Sequence, residues 1–387
     1  MKNLRYSIGI DVSKNDFKAC LSVINEELKV TIKGSKSFTN TNKGFNEFYI
    51  WVTKLAKEPL PLFYTMEATG IYHEGLAWFL FEKEAALCVM LPNKAKRYMQ
   101  SLGIRSKTDS IDAQGLSRMG AEQHLPLWQP LSKNLYKLRS LTRHLESLQG
   151  TKTALKNQLE AVSYAMYTLK SVAKSLKSTI KSIDKQIDFI KHEIIKMMEE
   201  DAVLSVKVKC LTSIKGVSSL TAAVLIAETN GFELFENQRQ LTSYAGYDVV
   251  ENQSGTHRGK SRISKKGNSH IRRAMHMPAF NVVKYKVKPF EMLYQRVYDR
   301  TKCKMKAYVA VQRKLLIIAY TLWKAETMFD PEYTISKETS GNQESKPLFS
   351  GSGPQGTEKK TATVNVAALD ELPCNLSPEA LFSVDQI

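Results

Sequence analysis

Two aspartates three residues apart, Asp109 and Asp112 within Arg105 to Leu116 (RSKTDSIDAQGL), are the residues of this 387-residue chain whose spacing first suggests chemistry. At the opening of a helix, positions i and i+3 share a face, so both carboxylates would point into one volume. A capping role competes, because Ser106 with Asp109, or Asp109 with Asp112, also fits a capping box. Asp11, in the apolar run YSIGIDV, and Glu67, in TMEATGIY, stand at or near the carboxyl ends of two expected strands, the usual place for a site in an open α/β sheet. Each alone has a plain structural reading: a turn-forming Asp before Ser13-Lys14-Asn15, and an acid near the start of the next helix. Four carboxylates brought together repel one another unless a hard cation neutralises them, and Mg²⁺ (or Mn²⁺) held by carboxylates and phosphate oxygens is the ordinary solution. The implied chemistry is two-metal phosphoryl transfer.

The elements that must position these acids can be read from periodicity. Tyr6 to Val12, Phe17 to Ile24 and Leu28 to Phe38 read as a three-stranded antiparallel meander. A helix (Gly44 to Ala56), a strand (Leu62 to Met66), a helix (His73 to Glu84), a strand (Leu87 to Leu91) and a helix (Lys94 to Leu102) follow. This β-β-β-α-β-α-β-α order over residues 1–130 is the ribonuclease H-like layout, an α/β sheet covered by helices. Actin-like sugar kinases also begin with a strand, an Asp and a turn. Their phosphate loop needs small residues, whereas Val12-Ser13-Lys14-Asn15 contains no glycine and no GxxxxGK[ST] sequence follows, which argues against kinase chemistry.

Charge points to the partner. Lys+Arg of 56 against Asp+Glu of 38 gives a net charge of +18, so a polyanion is expected, with nucleic acid first. Cys20, Cys88, Cys210, Cys303 and Cys374 form no CxxC pair, and the histidines form no HExxH, so no zinc site is suggested. The N-terminus lacks a signal-peptide apolar run, and Leu315 to Trp323 is too short to span a bilayer. The expectation is a soluble cytoplasmic, nucleoid-associated protein with no membrane partner.

From Leu135 to Met198, apolar residues recur at alternating spacings of three and four, a coiled-coil signature over residues 131–202, with Gly150 as a possible break. A hairpin within one chain and a dimer between chains use the same seam, and a homo-oligomer is the expectation. In the second domain, residues 203–329, Cys210 to Glu228 resembles a helix-hairpin-helix element turning at Lys215-Gly216-Val217, with Ser218 where a second glycine is usual. An ordinary helical hairpin fits equally well. His257 to Arg273 holds seven Lys/Arg and no acid: Arg258, Lys260, Arg262, Lys265, Lys266, Arg272 and Arg273. Interleaved with Gly255, Gly259 and Gly267, these form the strongest nucleic-acid patch in the chain. Ser269 to Tyr285 and Pro289 to Ala325 read as helices, the latter with Arg296, Arg300, Lys302, Lys304 and Lys306 on a basic surface. Residues 330–387, rich in Ser, Thr, Gly, Pro and acids, read as a disordered tail.

The runs IGIDVSK, EATGIY and KTDSIDA, followed by the YAG segment, the Ser254-Gly255 pair and ISKKGNSHIRR, resemble the insertion sequence 110 family of DEDD transposases, related to Piv-type invertases and RuvC resolvases. The resemblance covers roughly the first 325 residues. It implies a RuvC-like domain with Asp11, Glu67, Asp109 and Asp112 as metal-binding tetrad, a mostly α second domain, and Ser254 as nucleophile. It further implies donor and target DNA as partners, a structured guide RNA, and an active site shared between protomers. Without it, Ser254 is a flexible loop serine; its hydroxyl is inert at neutral pH unless its proton is drawn off or its target made electrophilic. Three functions stand: a metal-dependent transposase or recombinase, a hydrolytic nuclease or junction resolvase with Ser254 idle, and a nonenzymatic architectural protein.

Overall fold

Apolar alternation in the first 25 residues builds the centre of the N-terminal unit. Strands β1 (Asn3–Val12), β2 (Asp16–Asn25) and β3 (Val30–Thr39) form an antiparallel meander. Tyr6, Ile8, Ile10 and Val12 face one side of β1 and are buried with Phe17 of β2. Helix α1 (Asn42–Leu55) is capped by the Thr41 hydroxyl, which accepts from the Gly44 amide, and its Phe45, Phe48 and Val52 cover that face. Strand β4 (Leu62–Glu67), helix α2 (Glu74–Glu82), strand β5 (Ala86–Met90), and helices α3 (Pro92–Ser101) and α4 (Asp109–Glu122) complete the unit. The sheet order is β3-β2-β1-β4-β5, with β4 parallel to β1 and β5 parallel to β4. A meander joined at its first strand to parallel crossover strands is the ribonuclease H-like arrangement expected of the sequence.

The computed structural model describes residues 2–103, 108–167, 169–251, 253–255, 257–259 and 262–332. They fall into two compact units, Met1–Pro130 and Leu131–Ile387. Arg105, Ser106 and Lys107 of the carboxylate stretch, Lys260 of the basic segment, and the tail from 333 onward lie outside the described residues.

The second unit is predominantly helical. Helices α5 (Lys133–Tyr164) and α6 (Lys170–Glu200) pack against each other within the chain, so the three-and-four apolar seam is used as a hairpin. Leu138, Leu145 and Leu148 of α5, and Ile183, Ile187, Ile190 and Ile194 of α6, are buried along it. The break falls after Tyr164, and Gly150 sits in mid-helix with open space where a Cβ would be. A single exposed glycine weakens a helix by only about 1 kcal/mol, too little to end one with this much buried seam. Helices α7 (Ala202–Thr212) and α8 (Ser219–Thr229) form the hairpin anticipated around Gly216, whose φ of +113° requires glycine. The turn is pressed onto a neighbour: a Cβ on Gly216 would lie 2.9 Å from that of Asn281.

After α9 (Gln238–Tyr244) come two short ribbons that periodicity does not signal, because each strand is two residues long. Strand β6 (Val249–Val250) pairs with β9 (Arg262–Ile263), and between them β7 (Gln253–Ser254) pairs with β8 (His257–Arg258). Helices α10 (Ser269–Ala274), α11 (His276–Lys284), α12 (Lys288–Thr301) and α13 (Lys304–Ala325) follow. The helix expected over Pro289 to Ala325 is therefore two, split where Lys302 adopts a left-handed φ of +51°.

Candidate active site and nucleic-acid interface

The carboxylates of the first unit are positioned by the side of the sheet opposite α1. On that face β1 offers Ser7, then Gly9, then Asp11, and β4 offers Thr65, then Glu67, since side chains alternate along a strand. The residues beneath α4 are small for a reason. A Cβ on Gly9 would lie 2.1 Å from the Ala113 carbonyl oxygen and from the Ser117 amide, and one on Gly120 would lie 2.3 Å from the Thr65 hydroxyl and 2.6 Å from that of Ser7. Backbone meets backbone here. Ser117 donates from its hydroxyl to the Ser7 carbonyl at 2.9 Å, and Arg5 donates to the Ala121 carbonyl at the far end of α4.

These contacts fix the direction of α4. Gly120 lies over Ser7 and Ser117 over Gly9, so the helix runs antiparallel to β1 and its N-terminus lies toward the strand's carboxyl end. Two strand residues advance about 6.6 Å and four helix residues about 6 Å, so the next step along β1 brings Asp11 to the level of Asp112, with Asp109 just beyond. The parallel register Ile10↔Met66 brings Glu67 abreast of Asp11 on the neighbouring strand. Asp11 and Glu67 thus stand at the carboxyl ends of neighbouring strands, and α4, which carries Asp109 and Asp112, starts toward that end.

The cap of α4 is Thr108, whose hydroxyl accepts from the Ile111 amide at 3.3 Å. Asp109 and Asp112 therefore occupy the first helical positions instead of the cap, where their charge also complements the helix dipole. Asp109 is exposed, whereas Asp11, Glu67 and Asp112 are half-buried. Among the described residues, no three His, Cys, Asp or Glu side chains are already gathered as a metal-holding group. The donor set is nevertheless of one kind, carboxylate oxygens on elements held by close backbone packing, which is the chemistry that suits a hard divalent cation.

Ser254 belongs to the second unit. It lies on β7 directly opposite His257 of β8, followed by Gly255 at a φ of +57°, and is exposed at the end of this ribbon. Of the basic segment, Arg262, Lys265 and Lys266 are exposed, and the backbone of Arg258 pairs in β8. Arg272 and Arg273 are committed within the domain. Arg272 donates to the Ala245 carbonyl at 2.8 Å, and Arg273 forms an ion pair with Glu146 of α5.

Periodicity did not single out the polar centre that holds this segment. Glu228, 2% exposed at the end of α8, accepts from Arg143 of α5 through both oxygens, at 2.7 and 2.9 Å, and from the Asn268 amide at 2.7 Å. Asn268 in turn caps α10 by accepting from Ile271, and the Tyr244 hydroxyl donates to the Glu228 carbonyl at 3.2 Å. Burial pushes the Glu228 pKa up, but the hydrogen bonds from Arg143 and Asn268 outweigh it and hold the carboxyl below the usual glutamate range. Gly267 must be glycine, since a Cβ there would lie 2.3 Å from the Tyr244 carbonyl. The YAG and GN residues are thus a packing joint. The signal available in sequence was a lone carboxylate closing the apolar run LTAAVLIAE.

Together these elements define a ribonuclease H-like domain whose strand ends and fourth helix bear the candidate acids, followed by a helical domain with a basic segment. A family model described as a transposase, of the DEDD type of IS110, matches residues 8–164, and one described as "Transposase IS116/IS110/IS902 family" matches residues 208–295. Pilin gene-inverting proteins of Moraxella lacunata and Moraxella bovis are each 32% identical over 324 residues, covering 84% of this chain and 97% of theirs. The chain belongs to the IS110 family of transposases. Among solved structures, Thermus thermophilus RuvC is matched over 32% of this chain and 99% of its own, at 10% identity and a TM-score of 0.25.

Proposed function

We propose that this protein is a DNA recombinase of an insertion sequence that cuts and rejoins DNA, with Asp11, Glu67, Asp109 and Asp112 as the metal-holding site and Ser254 as nucleophile. What supports this reading most is the close antiparallel packing of α4 on β1, which turns the N-terminal end of the helix, with Asp109 and Asp112, toward the carboxyl end of that strand. A divalent cation, Mg²⁺ or Mn²⁺, held by these carboxylates would make the scissile phosphate more electrophilic. The Ser254 hydroxyl oxygen then bonds to phosphorus as the bond to one sugar oxygen breaks, and the hydroxyl proton ends on the departing oxygen. A DNA hydroxyl reverses the step, taking the phosphate and restoring serine. Exposed Arg262, Lys265 and Lys266, with Arg258 and Lys260 in the same segment, hold the strand by its phosphates.

The Moraxella relatives bear the name of proteins that invert a pilin gene, which supports rejoining over simple hydrolysis. Donor and target DNA, a structured guide RNA and a homo-oligomeric assembly belong to the same proposal. The alternative with a specific observation in its favour is a hydrolytic nuclease: all four of the acids proposed to hold the metal belong to the first unit, so a water could replace serine. The test is cleavage of supercoiled DNA carrying the sequences that flank the gene. Asp11→Asn, Glu67→Gln and Asp112→Asn should each abolish metal-dependent cutting while retaining the wild-type melting transition. Cutting that survives all three would overturn the site.

A further inference from the structure

The basic surface of α11 to α13 carries a feature that the phosphate-holding ribbon lacks. Five rings from three helices form an unbroken chain. His276 and Phe280 lie one turn apart on α11 with centroids 4.9 Å apart; Phe280 stacks on Tyr308 of α13 at 3.8 Å; Tyr308 meets Tyr294 of α12 at 4.7 Å; and Tyr294 lies parallel to Tyr298 at 6.0 Å. All five side chains are part-exposed. The aliphatic contacts that seal the α12–α13 junction are made beneath them by Leu293, Val297, Ala307 and Ala310.

The charge around the rings is one-sided. From His276 to Tyr308 there are eight Lys/Arg against two acids. The Lys302 ammonium lies 5.8 Å from the Tyr298 ring centroid. Exposed Lys304 stands one turn before Tyr308 on α13, and exposed Lys284 one turn beyond Phe280 on α11. Burial pushes the Tyr294 hydroxyl up to about 12 and lowers the His276 pKa. Aromatic faces bordered by flexible cations are the chemistry that receives unpaired bases, each base stacking on a ring while its phosphate meets an ammonium.

We propose that this ring chain is a stacking surface for the unpaired bases of a polynucleotide strand, distinct from the ribbon that holds backbone phosphates. This rests on the nucleic-acid reading above. A displaced DNA strand and a looped RNA present the same bases, and the test separates them.

The full-length protein is titrated by fluorescence anisotropy with labelled oligothymidylate, oligouridylate and duplex DNA at fixed salt. Tyr298→Leu combined with Phe280→Leu, which keeps apolar volume, should weaken single-strand binding about tenfold or more, by the usual worth of a base stacked on a ring. Duplex affinity should stay within about twofold, and Tyr298→Phe should bind like wild type. Weakening confined to oligouridylate identifies RNA as the source, and weakening confined to oligothymidylate identifies displaced DNA. Equal loss on single strands and duplex, or no loss on either, overturns the ring surface. Wild-type duplex binding reports separately on the broader nucleic-acid reading. Ultraviolet crosslinking of bromouridine oligomers to wild-type protein, mapped to peptides, needs no variant to fold: adducts on Tyr298 or Phe280 support the surface, and adducts only within residues 257–273 count against it.

Discussion

Replacing Arg143 with Met removes the partner that Glu228 depends on. The Glu228 side chain is 1% exposed and that of Arg143 40%, so the carboxylate has been taken out of water while the guanidinium remains half in it. Removing one partner of a buried pair costs about 3–5 kcal/mol, because the surviving charge is left uncompensated. Here Asn268 still donates to Glu228, Arg139 still contributes at longer range, and the arginine was half-solvated, so the low end, about 3 kcal/mol, applies. For a domain of this size that is roughly a 6–12 °C fall in the melting transition of the second unit. The assay is calorimetry at pH 7 on wild type, Arg143→Met, Glu228→Gln, and the double variant, which should regain more than half of the Arg143→Met loss because no buried charge remains. The pair also sets a pH dependence. The folded carboxyl titrates below the ordinary glutamate value of 4.5, so its stabilisation is fully present above that value and disappears as pH falls through the depressed one. The wild-type advantage over Glu228→Gln should therefore narrow only in the acid range. A loss of about 1 kcal/mol or less for Arg143→Met, as for a surface ion pair, would refute the reasoning.

Gly9→Ala should be among the most damaging single-methyl changes in the chain, since the added carbon meets α4 backbone that cannot rotate away; soluble yield and melting of the first unit report it. Arg262→Ala, Lys265→Ala and Lys266→Ala should each weaken DNA binding uniformly across sequences and lower the salt slope by about one, measured by anisotropy over a salt series. Arg272→Ala should instead appear mainly as lost stability, because its guanidinium donates to the Ala245 carbonyl. The Cys20 and Cys88 thiols, each pushed up to about 11 by burial, should resist alkylation by iodoacetamide in native protein at pH 8 and react only after unfolding.

What could be read from the sequence follows element length. Alternation over ten-residue strands and the order of helices gave the ribonuclease H-like unit, because periodicity over such lengths has few alternatives. The acids and the idea that they converge could be named, but not the helix packing this would need, which depends on glycines and serines under α4. Small residues leave no hydrophobic signature, and Gly9 and Gly120 explain themselves only once a helix is seen to lie on them. The three-and-four seam of α5 and α6 was plain, but not where it breaks: Gly150 looked like a hinge, whereas the turn lies after Tyr164. In the second unit the basic segment was legible as charge, yet two of its arginines serve Ala245 and Glu146. Charge counts do not show which cations are already partnered. Arg143 and Glu228 are separated by 85 residues and meet only in the folded core.

The measurement closest to the centre of the account is a search for a covalent protein–DNA adduct. Purified protein is mixed with flanking-sequence DNA, Mg²⁺ and a candidate RNA copied from the sequence beside the gene, then run on a denaturing gel. The account predicts an adduct for wild type, mapped to Ser254, that is lost in Ser254→Ala and in Asp109→Asn while both variants melt like wild type. Metal-dependent cleavage that persists undiminished in Ser254→Ala would contradict it and assign the attack to water.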